Sequence, residues 1–155
     1  MNIKIHSKAP NFKLPNQDNE LVELNKINQN VILFFYPKDN TPGCTVEAIS
    51  FSKLLNKFKK LNFQVFGISK DSIKKHQNFI KKQNLSVDLL SDEQNNVCED
   101  YGVWVEKSMY GRKYMGIERT TFFINTEKIV VNIWPKVKVP NHVEEVLEYV
   151  ESNLS

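Results

Sequence analysis

Residues 31–36, Val-Ile-Leu-Phe-Phe-Tyr, are six consecutive apolar, β-prone side chains closed by Pro37. A strand with one wet face alternates apolar and polar residues. An uninterrupted run is therefore the mark of a strand buried on both faces. From Cys44 onward the period changes. Ala48, Phe51, Leu55 and Phe58 fall at steps of three and four, the stripe of an amphipathic helix. A doubly buried strand feeding such a helix demands a sheet with cover on both sides.

The rest of the chain supplies that cover. Residues 12–14 and 21–24, bracketed by Pro10, Pro15 and the turn-rich stretch 16–19, read as a small β-hairpin. Residues 63–68 read as a second strand and 72–82 as a helix with Ile73, His76 and Ile80 on one face. A short strand at 87–90 precedes a short helix at 95–101, stopped by Gly102. Strands at 120–124 and 129–134 flank a turn at 125–128, and Val143, Val146, Leu147 and Val150 line a closing helix. The order β-α-β-α-β-α-β-β-α predicts an α/β, thioredoxin-like fold: an N-terminal β-hairpin and a central mixed sheet flanked by helices. With 155 residues and no repeat or low-complexity linker, the expectation is a single domain, 1–155.

Charge and cysteine usage remove several function classes. The net charge of +3 comes mostly from scattered lysines, a solvated surface rather than a nucleic-acid patch. Residues 1–6 hold no apolar run of signal-peptide length, and the longest apolar run is far too short to span a bilayer, so the expectation is a cytoplasmic protein without membrane contact. Cys44 and Cys98 are too far apart for a zinc spacing, and no static disulfide is expected of them. His6, His76 and His142 are isolated from one another and read as surface residues, so neither a metal nor another cofactor is expected.

The informative stretch is Pro37-Lys38-Asp39-Asn40-Thr41-Pro42-Gly43-Cys44-Thr45. It leaves the carboxyl end of the buried strand, where α/β proteins place their chemistry, and Cys44 opens the helix. Unpaired N–H groups at a helix start favour a thiolate. A Pro-Gly turn directly before the residue argues against burial, so Cys44 is expected to be accessible and Cys98 shielded. Thiolate formation alone accomplishes little. Lowering a thiol's pKa from ~8.5 to ~6 raises the thiolate fraction at neutral pH about 30-fold. The accompanying loss of nucleophilicity leaves a net gain of only about twofold. A fast thiol enzyme needs donors aimed at charge that develops in the transition state. Thr41, three residues before Cys44, offers a hydroxyl. Arg119, one of only two arginines beside Arg112, stands at the entrance of the 120–124 strand, where a fixed multi-donor fork would serve.

Pro37-x-x-x-Thr41-x-x-Cys44, together with Arg119, resembles the active-site motif of the peroxiredoxins. The strings FFYPKDNTPGCTVEAISF, LLSDEQNNVCEDYGVW, EKSMYGRKYMGIERTTFFI and VKVPNHVEEVLEYV resemble the Q-type subfamily, the bacterioferritin comigratory proteins, over nearly the whole chain. The resemblance implies a thiol peroxidase. Cys44 would attack a hydroperoxide and become a sulfenic acid, with thioredoxin or another thiol as reductant. Arg119 and Thr41 would hold both peroxide oxygens, and Pro37 would cover the thiolate. Glu47 would orient Arg119; alternatively it is an acid favoured by the dipole in a helix's first turn. A monomer is expected.

One departure concerns recycling. Many Q-type members carry a second cysteine five residues after the first, where this chain has Ile49, and others carry one in the helix that here spans 72–82, which has none. Only Cys98 remains; beside Val97 and Tyr101 it reads as a core residue, with a resolving role as the alternative. Two rival functions share the fold. A disulfide reductase would need Cys-x-x-Cys, where this chain has Thr41-Pro42-Gly43-Cys44. A thiol-based redox sensor would share the first step and lack rapid turnover.

Overall fold

The computed structural model describes residues 3–153. The chain opens with an antiparallel ribbon of β1 (Lys13–Pro15) and β2 (Leu21–Glu23), Leu14 opposite Val22, followed by a 3-10 turn at Leu24–Lys26. Then come β3 (Asn30–Phe35), α1 (Pro42–Lys60), β4 (Phe63–Ser69), α2 (Ile73–Gln83), β5 (Asp88–Ser91) and α3 (Val97–Asp100). The remainder is β6 (Trp104–Met109), β7 (Arg112–Ile117), β8 (Thr120–Ile124), β9 (Val130–Trp134) and α4 (His142–Asn153).

The central sheet has the order β5-β4-β3-β8-β9. Strands β3, β4 and β5 run parallel, and β8 runs antiparallel to both its neighbours, so the sheet is mixed as expected. The apolar run is its middle strand, buried at every residue. Alternate side chains of β3 divide the core in two, because successive side chains point to opposite faces. Val31, Leu33 and Phe35 join Leu14, Cys98, Tyr101 and Phe122 on one face. Ile32, Phe34 and Tyr36 join Cys44, Phe51, Phe79 and Val146 on the other, under α1, α2 and α4. The two cysteines therefore lie on opposite faces of the sheet.

Packing, not capping, holds α1. Thr41 is its N-cap but makes no side-chain cap bond, which forgoes about 1 kcal/mol. Phe51, Leu55 and Phe58 are buried on its inner face, each contributing roughly 1.5–3 kcal/mol. The close approach of β4 to β3 depends on Gly67, where a Cβ would stand 2.7 Å from Phe34 Cζ and 2.8 Å from Leu89 Cδ2. The Phe34 ring cannot yield, since it is stacked on Phe51 with ring centres 4.4 Å apart.

The sequence reading missed one pair of strands. β6 and β7 form a separate two-stranded antiparallel ribbon. Its turn residues Tyr110 and Gly111 have φ of 52° and 78°, the doubly left-handed backbone of a tight hairpin turn. Most of its side chains are exposed, so no buried face imposes the apolar alternation that would betray a strand.

Two histidines also depart from expectation. His6 is exposed, but His76 and His142 are buried, at 0% and 4% exposure. Neither is a surface residue. His76 sits on the inner side of α2, and His142 opens α4 with its Nε2 2.8 Å from Thr121 Oγ1. Burial, with Arg119 nearby, pushes His142 down to about 4.

Candidate active site

Helix α1 begins two residues earlier than the sequence reading placed it. Pro42 occupies the first helical position, where its missing N–H costs nothing. The amide of Thr45 makes the first helical bond, to Thr41 O at 2.9 Å. Cys44 is thus the third residue of the helix, among those whose amides have no intrahelical acceptor, at the positive end of the dipole.

Cys44 is only 1% exposed, which overturns the expectation of an accessible thiol. The buried stripe of α1 explains it. Stepping back four residues from Ala48 reaches Cys44, so the sulfur closes the same face that buries Phe51 and Leu55. The Pro-Gly turn does not expose it, because Arg119 lies across this corner: a Cβ on Gly43 would meet Arg119 Nη2 at 3.2 Å and Val139 Cγ2 at 3.8 Å.

Arg119 stands between β7 and β8, and its guanidinium bridges two residues of α1. Nη2 donates to Cys44 Sγ at 3.3 Å, and Nη1 donates to Glu47 Oε1 at 2.7 Å. A single planar fork thus fixes a positive donor against the sulfur, which a lysine's point charge could not do while also holding Glu47. Glu47 is fully buried and is the sixth residue of α1, beyond the first turn, so the helix-dipole alternative does not describe it. Burial pushes its carboxyl from 4.5 up to about 7, against the opposing pull of Arg119. Among the described residues its Oε2 has no hydrogen-bond partner. Thr41 is half-buried at the N-cap and donates its hydroxyl to Lys38 O at 2.9 Å; Pro37 is half-buried at the end of β3. The structure therefore joins Cys44, Arg119 and Glu47 by direct contacts and sets Thr41 and Pro37 on the loop leading into them.

Cys98 has a different environment. Its amide donates to Asp92 Oδ2 at 2.8 Å, and Lys70 Nζ pairs with the same oxygen at 3.1 Å. Burial first, then the Asp92 carboxylate, push its thiol far above the ordinary range. Such a group stays protonated and is a poor nucleophile.

Three contributors escaped the sequence reading. Val139 packs over Gly43. Lys107 of β6 is held below its ordinary pKa by partial burial and by the charge of Arg119. Asp39 is buried inside the loop and tied to His76 at 2.7 Å. A titratable residue on the apolar stripe of α2 was the one available signal for the last pair.

The geometry has counterparts. The AhpC/TSA family pattern matches residues 5–133. The chain belongs to the AhpC/TSA family. It is a peroxiredoxin of the Bcp/PrxQ type, a thiol-dependent peroxidase. A Coxiella burnetii relative carrying the bcp peroxiredoxin name is 51% identical over 148 residues, 95% of this chain and 98% of its own. A PrxQ of Xylella fastidiosa has a TM-score of 0.94 at 37% identity, covering 100% of this peroxiredoxin and 99% of that one. The bacterioferritin comigratory protein of Xanthomonas campestris, studied for alkyl peroxide reduction, has a TM-score of 0.88 at 37% identity, covering 93% and 92%. The thioredoxin-like fold is shared with these neighbours. No helix among the described residues is long and apolar enough to cross a membrane.

Proposed function

We propose that Cys44 is the peroxidatic cysteine, that Arg119, Thr41, Pro37 and Glu47 serve it, and that the cycle uses this one cysteine. The observation that carries the reading is the guanidinium fork spanning Cys44 Sγ and Glu47 Oε1. The Cys44 thiolate attacks one oxygen of a hydroperoxide. An S–O bond forms as the O–O bond breaks, and the departing alkoxide or hydroxide takes up a proton. Charge builds on the separating oxygens, and the Nη2 donor now directed at sulfur is placed to meet it. The Thr41 hydroxyl, its own hydrogen given to Lys38 O, accepts from the peroxide O–H, and Pro37 limits water at the sulfur. The products are the Cys44 sulfenic acid and an alcohol or water. Hydrogen peroxide and organic hydroperoxides both fit this chemistry, the latter in keeping with the alkyl peroxide activity studied in the Xanthomonas relative.

A first external thiol condenses with the sulfenic acid, releasing water and leaving a mixed disulfide. A second thiol releases reduced Cys44 and carries away the disulfide. Thioredoxin or a small thiol fills this role, and the protein acts as a monomer in the cytoplasm. The sheet between the two cysteines supports the one-cysteine cycle, since a disulfide needs Cα atoms within about 7 Å. Cys98→Ser and Cys98→Ala should leave steady-state turnover with dithiothreitol within about twofold of wild type, as expected where no reacting contact is lost. A Cys44–Cys98 disulfide in oxidised wild type, with Cys98→Ser stalled after one turnover, would instead make Cys98 the resolving residue.

The raised pKa of Glu47 sets a pH dependence. Its folded value lies above the ordinary one, so folding stability falls as pH rises from 4.5 to about 7. The charge that Arg119 reads is present above that window and lost below it. Glu47→Gln should slow Cys44 oxidation about tenfold at a pH above the window, the scale of one charged hydrogen bond. It should also flatten the decline in rate through pH ~7. Stopped-flow oxidation rates across this range decide it; superimposable profiles would remove Glu47 from the mechanism.

A further inference from the structure

Asp39 ties the loop between β3 and α1 to the body of the protein through both its backbone and its side chain. Its amide donates to Asp71 Oδ2 at 2.8 Å, an oxygen that also accepts from Ser69 Oγ at 2.8 Å. Its Oδ1 accepts from Tyr36 Oη at 2.6 Å, and its Oδ2 lies 2.7 Å from His76 Nδ1. All five side chains are buried. Asp39, Asp71 and His76 have ligand atoms within 4.8 Å of one another, but those engaged here already hold hydrogen-bond partners, so the cluster reads as a clamp rather than a cation site.

Proton accounting defines the state of the clamp. His76 Nε2 is 3.0 Å from Leu90 O, which can only accept, so Nε2 carries a hydrogen. Nδ1 faces the Asp39 carboxylate at 2.7 Å, with Tyr36 Oη at 3.4 Å on the same side. The Tyr36 hydroxyl is spent on Asp39 Oδ1, and burial followed by the Asp39 charge keeps that phenol protonated. One hydrogen must lie between Nδ1 and Asp39 Oδ2 at this distance, and the imidazole is the more basic of the two, which makes an imidazolium against a carboxylate. The charged and titratable groups facing the ring are thus Asp39, Tyr36 and, behind them, Asp71.

We propose that His76 is a positioning residue for the active-site loop, acting as a buried imidazolium that fixes Asp39 and through it the Thr41 hydroxyl. The connection is short. Asp39 follows Lys38, whose carbonyl accepts from Thr41 Oγ1 at 2.9 Å, and Thr41 O receives the first amide bond of α1. Asn40, between them, holds a left-handed φ of 62°, so the backbone cannot relax freely around a displaced Asp39. Removing the imidazolium leaves a buried carboxylate short of its cation, and the loop must open to hydrate it. The inference rests on the peroxidatic reading of Cys44.

Single-turnover kinetics test it, with Cys44 oxidation by hydrogen peroxide measured apart from reduction of its mixed disulfide by dithiothreitol. His76→Leu should slow oxidation on the order of 10- to 100-fold, the effect of a reacting group misplaced by about an ångström. The reduction step should change less than about twofold, since the external thiol needs no contact with Thr41. Asp39→Asn should retain the oxidation rate within about threefold, because an amide N–H can donate to a neutral Nδ1 and keep the geometry. The nitrogen-15 NMR signals of His76 should report both ring nitrogens protonated in wild type and Nδ1 bare in Asp39→Asn. An unchanged oxidation rate in His76→Leu, equal slowing of both steps, or a bare Nδ1 in wild type would overturn the proposal. If His76→Leu does not fold, the His76 NMR signals of wild type and Asp39→Asn still decide. A wild type inert to peroxide would sink the peroxidatic reading itself rather than this one.

Discussion

Cys44→Ser should abolish hydroperoxide consumption, with a loss on the order of a thousandfold or more, as when the nucleophile of other covalent enzymes is removed. The substitution is nearly isosteric, and a serine oxygen can still accept from Arg119 in place of Sγ. The helix, the loop and the guanidinium fork should therefore persist. What disappears is a polarisable sulfur nucleophile, for which a hydroxyl is no substitute. Peroxide consumption with dithiothreitol or thioredoxin as donor measures the effect directly. Substantial surviving activity would place the chemistry elsewhere, with Cys98 as the remaining thiol.

Arg119→Lys should cost roughly 2–4 kcal/mol of transition-state stabilisation, the scale of one lost oxyanion-hole donor, or about 30- to 900-fold in the oxidation rate. The charge survives the change and the geometry does not. A lysine ammonium cannot sit 3.3 Å from Sγ and 2.7 Å from Glu47 Oε1 in the plane of one rigid fork. If it turns to Glu47, the sulfur loses its donor; if it turns to sulfur, Glu47 keeps a buried carboxylate with no cation. Arg119→Ala should also lower folding stability by roughly 3–5 kcal/mol, the penalty of breaking a buried pair on one side. Urea unfolding at matched pH separates this loss from the kinetic one. Unchanged peroxide kinetics in Arg119→Lys would show that charge alone suffices.

The elements most legible in the sequence are those whose side chains answer to one local rule. The run at 31–36 could hardly be anything but a doubly buried strand, and the period from Ala48 to Phe58 fixes the inner face of α1. The same stripe, extended one step to Cys44, implies burial of the sulfur, and the Pro-Gly turn does not override it because Arg119 covers that corner. The β6–β7 ribbon stayed hidden because its exposed faces leave composition free. His76 and Asp39 lie 37 positions apart, and nothing local announces that a loop and a helix will share a buried charge. Glu47 carried two local readings; the helix start at Pro42, which puts it past the first turn, and the position of Arg119, from a strand entrance far along the chain, separate them.

The most direct measurement is intact and peptide mass after one equivalent of hydrogen peroxide in the absence of thiol, followed by addition of dithiothreitol. The expected result is one oxygen gained on the peptide carrying Cys44, no loss of two hydrogens, and return to the original mass with thiol. An unmodified Cys44 with peroxide left in solution, or oxygen found on Cys98 instead, would contradict the assignment.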